Sequence, residues 1–225
     1  MKPSKHVIHD IQRVPAELVE GMRAYPTATI HEAYGAQGAL FNTIKPIHPD
    51  MKLCGTAVPV KTRPGDNLIA HKAIYVAAPG DVLVVETASF VEAGFWGGIM
   101  TVAAQQRGIA GLVTDGAVRD TAEMIKMGFP VFSQGVSIKG TTKNCLGTIN
   151  HPLQLAGVAI NPGDLIVGDA DGVVVVARAD VADVLAKAKQ REEKEAKISA
   201  ELAQGDTTLA LYGFSEQLEK LGLKE

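Results

Sequence analysis

The 225-residue sequence contains only two cysteines, and this scarcity excludes several kinds of site. Cys54 and Cys145 do not show the spacing of a metal-binding or redox motif, and two thiols in a chain of this length provide no disulfide framework. We therefore expect both side chains to be buried as small fillers of the core.

The sequence also lacks a long basic run, and its formal net charge is −3. Nucleic-acid-binding domains usually carry clustered Lys and Arg, so we do not expect nucleic acid to be the main partner. No uninterrupted apolar run reaches about 18 residues, the length of a membrane helix. Residues 1–6 lack the apolar segment of a secretory leader. We therefore expect a cytoplasmic protein without a membrane contact.

The sequence also gives little support to three common classes of enzyme. No Gly-x-Gly-x-x-Gly follows the first predicted strand, which argues against a dinucleotide-binding fold and against an S-adenosylmethionine methyltransferase. The sequence has no Walker loop, so nucleotide hydrolysis is not expected. A Schiff-base aldolase is not favoured, because its lysine normally lies on a strand of a much longer barrel and Lys61 alone is weak support.

The sequence does contain an alternation of short apolar segments and helical patterns. Its 46% hydrophobic content suffices for the core of one domain, residues 1–225. Apolar runs predict strands at 58–62, 81–86, 109–114, 131–132, 158–160, 165–167 and 173–177. Helical spacing predicts helices at 15–23, 27–34, 68–77, 98–107, 118–127, 179–202 and 211–223, with Asn67 as an N-cap and 87–96 as a loop. This order is typical of an α/β layered fold.

The most informative segment runs from Gly97 to Glu123, where a glycine turn twice precedes a predicted helix. A helix that begins at Gly98 leaves the first backbone amides, those of Ile99 and Met100, free to bind a carboxylate or a phosphate. The second turn places Arg119, Asp120 and Glu123 close together in the sequence. The segment therefore predicts a site for an anion and a metal ion.

The three charged side chains offer complementary chemistry. Arg119 can bind the anion with two parallel donors, whereas Asp120 is a hard oxygen ligand suited to Mg²⁺ or Mn²⁺. Glu123 lies one helical turn beyond Asp120 and could hold a water on the metal. A helix cap beside a surface ion pair is the alternative, and the spacing alone does not decide between the two. His71, near a predicted helix start, is interpreted mainly as a polar surface residue, with cleft lining as the lesser alternative.

The order Gly98, twenty residues, Arg119-Asp120, two residues, Glu123 resembles a family signature. It is that of the 4-hydroxy-4-methyl-2-oxoglutarate/4-carboxy-4-hydroxy-2-oxoadipate aldolases, a class II family that shares its fold with the regulator of ribonuclease activity A. Further matching segments lie at 63–68, 79–84, 114–120, 161–164, 168–173, 194–195 and 211–213. The resemblance covers roughly residues 10–220 and implies a swivelling β/α/β-like layered sandwich.

The resemblance implies a role for each candidate residue. The substrate-binding candidates share backbone amides that would bind the pyruvyl carboxylate: Gly97, Gly98, Ile99 and Met100. Arg119 would contact the pyruvyl oxygens, Asp120 would bind the divalent cation, and Glu123 would act through water. A glutamate of a neighbouring subunit completes the site in the family. Glu195 is the best match here, and Glu193 is a rival.

The resemblance further implies an enzyme of aromatic catabolism. It would cleave one or both oxo-diacids to pyruvate plus pyruvate or oxaloacetate, with oxaloacetate decarboxylation as a side activity. A homotrimer or homohexamer is implied, with the C-terminal helix and tail, about 179–225, in subunit contacts. The alternative is a non-catalytic binding protein like the ribonuclease regulator, which would have lost the Arg-Asp-x-x-Glu set that this chain retains. The preferred C4 substituent and metal and the choice between trimer and hexamer stay open.

Overall fold

The computed structural model describes residues 6–223. Residues 1–5, on which the argument about a leader partly rests, and residues 224–225, at the end of the predicted domain, lie outside the described residues. The helices are α1 (Ala16–Arg23), α2 (Thr27–Ala33), α3 (Leu68–Ala73), α4 (Gly98–Gln106), α5 (Thr121–Lys126), α6 (Val181–Ala203), α7 (Thr208–Leu211) and α8 (Phe214–Lys220). The strands are β1 (Lys45–Pro46), β2 (Leu53–Lys61), β3 (Asp81–Glu86), β4 (Gly94–Trp96), β5 (Gly111–Thr114), β6 (Ala117–Val118), β7 (Val131–Ser133), β8 (Gly135–Val136), β9 (Thr148–Ile149), β10 (Leu153–Leu155), β11 (Val158–Ile160), β12 (Leu165–Gly168) and β13 (Val173–Val176).

An eight-stranded sheet forms the centre of the fold. Its order is β1-β7-β5-β3-β2-β12-β13, and β9 also pairs with β2. The four central strands β2, β3, β5 and β7 are parallel, whereas β1, β12 and β13 pair antiparallel with their neighbours. β3 is buried along its whole length, as a central parallel strand covered on both faces should be.

Side chains of the sheet alternate between two packed layers. On β3, Leu83 and Val85 join the cluster that contains side chains of α3 and α4, whereas Val82 and Val84 join the cluster with β10 and β11. A third cluster packs side chains of α1, α2 and α6 against β12 and β13. The α/β layered fold predicted from the sequence is confirmed.

Two predictions next to the informative segment are wrong. Residues 87–96, expected to be a loop, contain β4. The helix expected over 118–127 begins only at Thr121, because Ala117 and Val118 pair with β4 and β8. Strands of two or three residues are too short to show a period, so the sequence did not reveal them.

Other boundaries shift by a few residues. β2 begins at Leu53 rather than at 58, and α3 ends at Ala73 rather than at 77. The tail helix expected over 211–223 is divided into α7 and α8 at Gly213, whose φ is +68°. The long helix predicted over 179–202 is confirmed as α6.

The two cysteines differ in burial. Cys54 is buried on β2, as predicted, and burial raises the pKa of its thiol to about 11, so the thiol is protonated at neutral pH. The prediction that Cys145 is buried is wrong, because it follows an exposed loop and is only partly covered. Its sulfur accepts a hydrogen bond from Arg63 Nη1 at 3.5 Å.

No helix within residues 6–223 is long and apolar enough to span a membrane.

Trp96 joins the sheet layer to α4. Its ring is fully buried and stacks on Phe129 with the centroids 6.3 Å apart, and its indole N–H donates to Thr101 Oγ1 at 2.9 Å. Buried polar groups need such partners. Trp96 is therefore a core residue that fixes the strand immediately before Gly97.

Replacing Thr101 with Val should destabilise the fold by about 1–3 kcal/mol, because the buried indole N–H of Trp96 would lose its acceptor. Urea unfolding followed by the fluorescence of Trp96, the single tryptophan, measures the change. Val102→Thr, at the exposed neighbouring position, is the matched control and should stay within about 0.5 kcal/mol of the wild type. Equal stability of wild type and Thr101→Val would contradict the assigned role of this hydrogen bond.

Candidate functional site

Two turns of the chain lie side by side because β4 and β6 pair in parallel. β4 leads into Gly97 and α4, and β6 leads into Arg119 and α5. Trp96 pairs with Val118, and the Arg119 backbone N–H donates to the Trp96 carbonyl oxygen at 2.9 Å. The residues that follow the two strands are therefore brought into contact.

The N-cap residue of α4, Gly97, has no side chain that could cap the helix. Gly97 is extended at the N-cap position, and the Gly98 N–H donates across the turn to Asp120 Oδ2 at 3.1 Å. Ile99 and Met100 belong to the first helical turn, whose N–H groups have no partner within a helix. These amides lie at the positive end of the helix dipole, which favours a bound anion.

The carboxylates of Asp120 and Glu123 both lie against this helix start. A Cβ atom on Gly97 would be 2.5 Å from Asp120 Oδ2, and a Cβ on Gly98 would overlap with Glu123 Oε2. The absence of two side chains thus creates the space that the two carboxylates occupy. Glu123 reaches Gly98 from the first turn of α5, and Asp120 lies at the N-cap position of that helix.

Asp120 itself adopts an unusual backbone conformation. Its φ is +56° and its ψ +36°, in the left-handed region that Asp tolerates better than most residues. Arg119 Nε lies 3.8 Å from Asp120 Oδ2, and both side chains are nearly half exposed. Screening by water keeps such a pair weak, so both groups are available to a ligand.

A cavity of about 250 Å³ opens in front of these residues. Its walls include five of the predicted candidates: Gly97, Ile99, Met100, Arg119 and Asp120. Gly98 and Glu123 are adjacent to it through the contacts already described. The structure thus brings seven of the eight predicted site residues to one place.

The eighth candidate, Glu195, does not line this cavity within the chain. Glu195 Oε1 forms an ion pair with Arg191 Nε at 2.9 Å, and Arg191 also forms an ion pair with Glu32. The rival Glu193 is exposed on the same helix. An approach of either residue to the cavity of a neighbouring subunit stays a prediction.

Asn67 is a cavity residue whose role differs from the predicted one. It occupies the N-cap position of α3 without capping it, because its Nδ2 donates to the Phe95 carbonyl oxygen at 2.7 Å. That bond fixes the orientation of the amide and leaves the buried Oδ1 without a partner among the described residues. A buried acceptor without a partner beside a cavity is suited to a donor group of a ligand.

His71 and Lys143 form a further part of the wall. The structure therefore favours the lesser sequence interpretation of His71, that it lines a cleft. Burial, and then the neighbouring Lys143, lowers the pKa of His71, so its imidazole is neutral at neutral pH. Sequence analysis missed Lys143, because its loop has no periodic pattern and lies more than twenty residues from the Arg119 motif.

The donor set suits a hard divalent cation. Within residues 6–223 there is no group of three or more His, Cys, Asp or Glu side chains arranged to hold a metal. One chain thus supplies at most the two convergent carboxylates of Asp120 and Glu123 at this place. Mg²⁺ commonly takes one or two protein carboxylates and completes its shell with water and substrate oxygens, so the residues present fit it.

Comparisons of the sequence and of the structure with known proteins point to the same family. The family model described as RraA-like, Aldolase/RraA, matches residues 27–175. A Halalkalibacterium halodurans protein named "Putative 4-hydroxy-4-methyl-2-oxoglutarate aldolase" is 37% identical over 202 residues, 90% of this chain and 95% of that protein. The crystal structure of an uncharacterized Pseudomonas syringae protein has a TM-score of 0.80 and 30% identity, and the match covers 88% of this chain and 93% of that chain. The RNA-processing inhibitor RraA from Thermus thermophilis has a TM-score of 0.62 and 26% identity, with 67% and 92% covered.

Gly98→Ala should displace the Glu123 carboxylate from the start of α4, because a Cβ would occupy its place. The end of a Glu side chain moves easily, so the free energy of unfolding should change by no more than about 1 kcal/mol. Calorimetric titration with Mn²⁺ should show weaker binding in Gly98→Ala than in the wild type. Gly135→Ala is the control, since its Cβ would find only ordinary contacts, the nearest at 3.6 Å. Unchanged Mn²⁺ affinity in Gly98→Ala would show that Glu123 does not help to hold the metal.

Proposed function

We propose that this chain, which belongs to the RraA-like family, is a divalent-metal-dependent aldolase. It would cleave 4-hydroxy-4-methyl-2-oxoglutarate, 4-carboxy-4-hydroxy-2-oxoadipate or both. One observation carries the proposal: Arg119, Asp120 and Glu123 meet the start of α4 beside a single cavity. The name of the 37% identical relative supports the choice of reaction.

The α4 amides would bind the pyruvyl half of the substrate. Its carboxylate is a natural ligand for the N–H groups of Ile99 and Met100, because the helix dipole and the free donors act on it together. Arg119 would add donors to the same half at the keto oxygen. The reacting C3–C4 bond would thus be held at a defined place beside Asp120.

Cleavage of the C3–C4 bond requires a proton acceptor and a place for negative charge. A water hydrogen-bonded to Glu123, or to a carboxylate of a neighbouring subunit, would take the proton of the C4 hydroxyl as C4 becomes a carbonyl carbon. The electron pair of the broken bond would pass into the pyruvate enolate, whose oxygen would lie next to Arg119. Protonation of the enolate at C3 then gives pyruvate.

Preorganised charge makes this site selective for the transition state. The Arg119 guanidinium interacts more strongly with the enolate oxygen than with the neutral keto group that precedes it. A divalent cation held by Asp120, with Glu123 acting through water, would supply Lewis-acid stabilisation of the same charge. Oxaloacetate should be decarboxylated as a side reaction, because its decarboxylation gives the same enolate.

A non-catalytic role like that of an RNA-processing inhibitor is the alternative. The similarity to RraA from Thermus thermophilis covers 67% of this chain. Binding to another protein would require neither the convergent carboxylates nor the cavity, and this favours the enzyme. Absence of turnover with all three substrates would instead favour the binding role.

We also propose that the active form is a homotrimer or homohexamer. Apolar side chains of the C-terminal segment are exposed in the single chain: Leu209, Tyr212, Phe214, Leu221 and Leu223. The buried residues of α6 are Val181, Val184 and Ala188, so the second half of this helix has no buried residue within the chain. Contact with another copy would cover these surfaces and could bring Glu195 to a neighbouring cavity.

Asp120→Ala should abolish pyruvate release while leaving the fold intact, because the residue is half exposed and the metal would lose its direct ligand. A coupled pyruvate assay with both hydroxy-oxo-diacids and with oxaloacetate measures this. Chelator should also stop the wild-type reaction, and Mg²⁺ or Mn²⁺ should restore it. Asp50→Ala, at an exposed residue outside the cavity, is the control. Near wild-type kcat in Asp120→Ala, or full turnover after metal removal, would contradict the proposal.

Arg119→Lys should lower kcat/KM by about two orders of magnitude, roughly 3 kcal/mol, although the charge is retained. Lysine cannot offer the planar pair of donors that an enolate and a carboxylate accept. Arg107→Lys, at the exposed end of α4, is the matched control and should behave like the wild type. A loss of only a few-fold in Arg119→Lys would show that charge alone suffices.

A further inference from the structure

We propose that Lys143 binds the distal carboxylate of the oxo-diacid, on the wall of the cavity that the loop 140–145 forms. The inference rests on the proposed function for the identity of the ligand. It assigns to this residue the preference for a substrate with two acidic ends.

The loop 140–145 forms the wall on which Lys143 lies. At one end of it, a Cβ on Gly140 would be 3.7 Å from Arg119 Nη1. Further along, Lys143 is close enough to His71 on α3 to interact with it electrostatically. The loop therefore runs along the cavity from the Arg119 side to the α3 side.

A buried carboxylate holds the loop on both sides of Lys143. Asp66 Oδ2 accepts from Thr142 Oγ1 at 2.8 Å and from the Asn144 N–H at 2.6 Å. The Thr142 N–H also donates to the Gly65 carbonyl oxygen at 2.8 Å. Burial alone would raise the pKa of Asp66, but the hydrogen bonds that its carboxylate accepts from Asn144, Leu68 and Thr142 outweigh burial and lower the pKa. The backbone at Lys143 is therefore fixed by an ionised group, although its side chain is exposed.

The distribution of charge in the cavity identifies the ligand group. One carboxylate of the substrate would bind at the α4 amides and Arg119. A second carboxylate is repelled by Asp120 and Glu123, so it requires a cation elsewhere. Among the described residues that line the cavity, the side chains charged positive at neutral pH are Arg119 and Lys143, since His71 is neutral.

Lysine also suits a distal group whose position varies. Its ammonium carries three rotatable donors on a flexible stem, so it can follow carboxylates attached to differently substituted C4 atoms. Lys139, four residues earlier, instead donates to Glu92 Oε2 at 2.7 Å and does not line the cavity. Lys139 is therefore a matched control in the same region.

Direct binding tests the assignment without turnover. 2-Oxoglutarate and 2-oxopentanoate have the same carbon chain and differ only in the distal carboxylate. Calorimetric titration in the presence of Mg²⁺ should show tighter binding of 2-oxoglutarate to the wild type. Lys143→Met should reduce this preference about tenfold by weakening 2-oxoglutarate alone, as expected for loss of one charged hydrogen bond. Lys143→Arg should restore most of the preference, and Lys139→Met should retain it.

Kinetics give a second readout. For 4-hydroxy-4-methyl-2-oxoglutarate, Lys143→Met should raise KM about tenfold with kcat within a factor of about two, because the distal contact is uniform binding. Inhibition by pyruvate, which lacks the distal carboxylate, should be unchanged.

The outcomes separate this inference from the proposed function. Equal preference for 2-oxoglutarate in the wild type and Lys143→Met, equal weakening of both ligands, or no preference in the wild type would overturn the assignment to Lys143. Loss of the preference in Lys143→Met would support it even if the wild type cleaved none of the hydroxy-oxo-diacids. That combination would refute the proposed aldolase reaction alone.

Discussion

The parallel pairing of β4 with β6 is the contact on which the candidate site depends. These strands have three and two residues, yet their pairing places the start of α4 beside Arg119 and Asp120, which are more than twenty residues away in the sequence. The buried ring of Trp96 fixes β4 through its stacking on Phe129 and its bond to Thr101. Gly97 and Gly98 then permit the close approach of two carboxylates that any side chain would prevent. Core packing thus fixes the strand pairing, and the strand pairing fixes the geometry of the site.

The charged groups of the site indicate a ligand that combines an anion with a cation. A free anion at the α4 amides would be repelled by Asp120 and Glu123, and a free cation at these carboxylates would be repelled by Arg119. An anion and a cation bound together satisfy all of the groups. An oxo-acid chelated to a divalent metal has this property, whereas a simple phosphate or sulfate has not. This balance of charges, more than the presence of any one residue, favours the proposed reaction class.

The sequence predicted what depends on local pattern or on motif spacing. β3 was recognisable as a continuous apolar run, and α6 by its length. β4 and β6 were not recognisable from the sequence, because strands of two or three residues show no period. The positions of Asn67 and Lys143 depend on contacts between distant segments, such as Asp66 with Thr142 and Asn67 with Phe95, to which no local pattern points. The role of Glu195 concerns a second copy of the chain, so neither the pattern nor a single chain decides it.

The proposed mechanism requires that the start of α4, Arg119 and Asp120 together hold a metal and an enolate. A crystal grown with Mn²⁺ and oxalate, a planar mimic of the pyruvate enolate, tests it directly through the anomalous scattering of manganese. We expect one Mn²⁺ bound to an Asp120 oxygen, with oxalate on that ion and in contact with the amides of Ile99 and Met100 and with Arg119. Manganese bound elsewhere, or oxalate bound away from the α4 amides, would contradict the account.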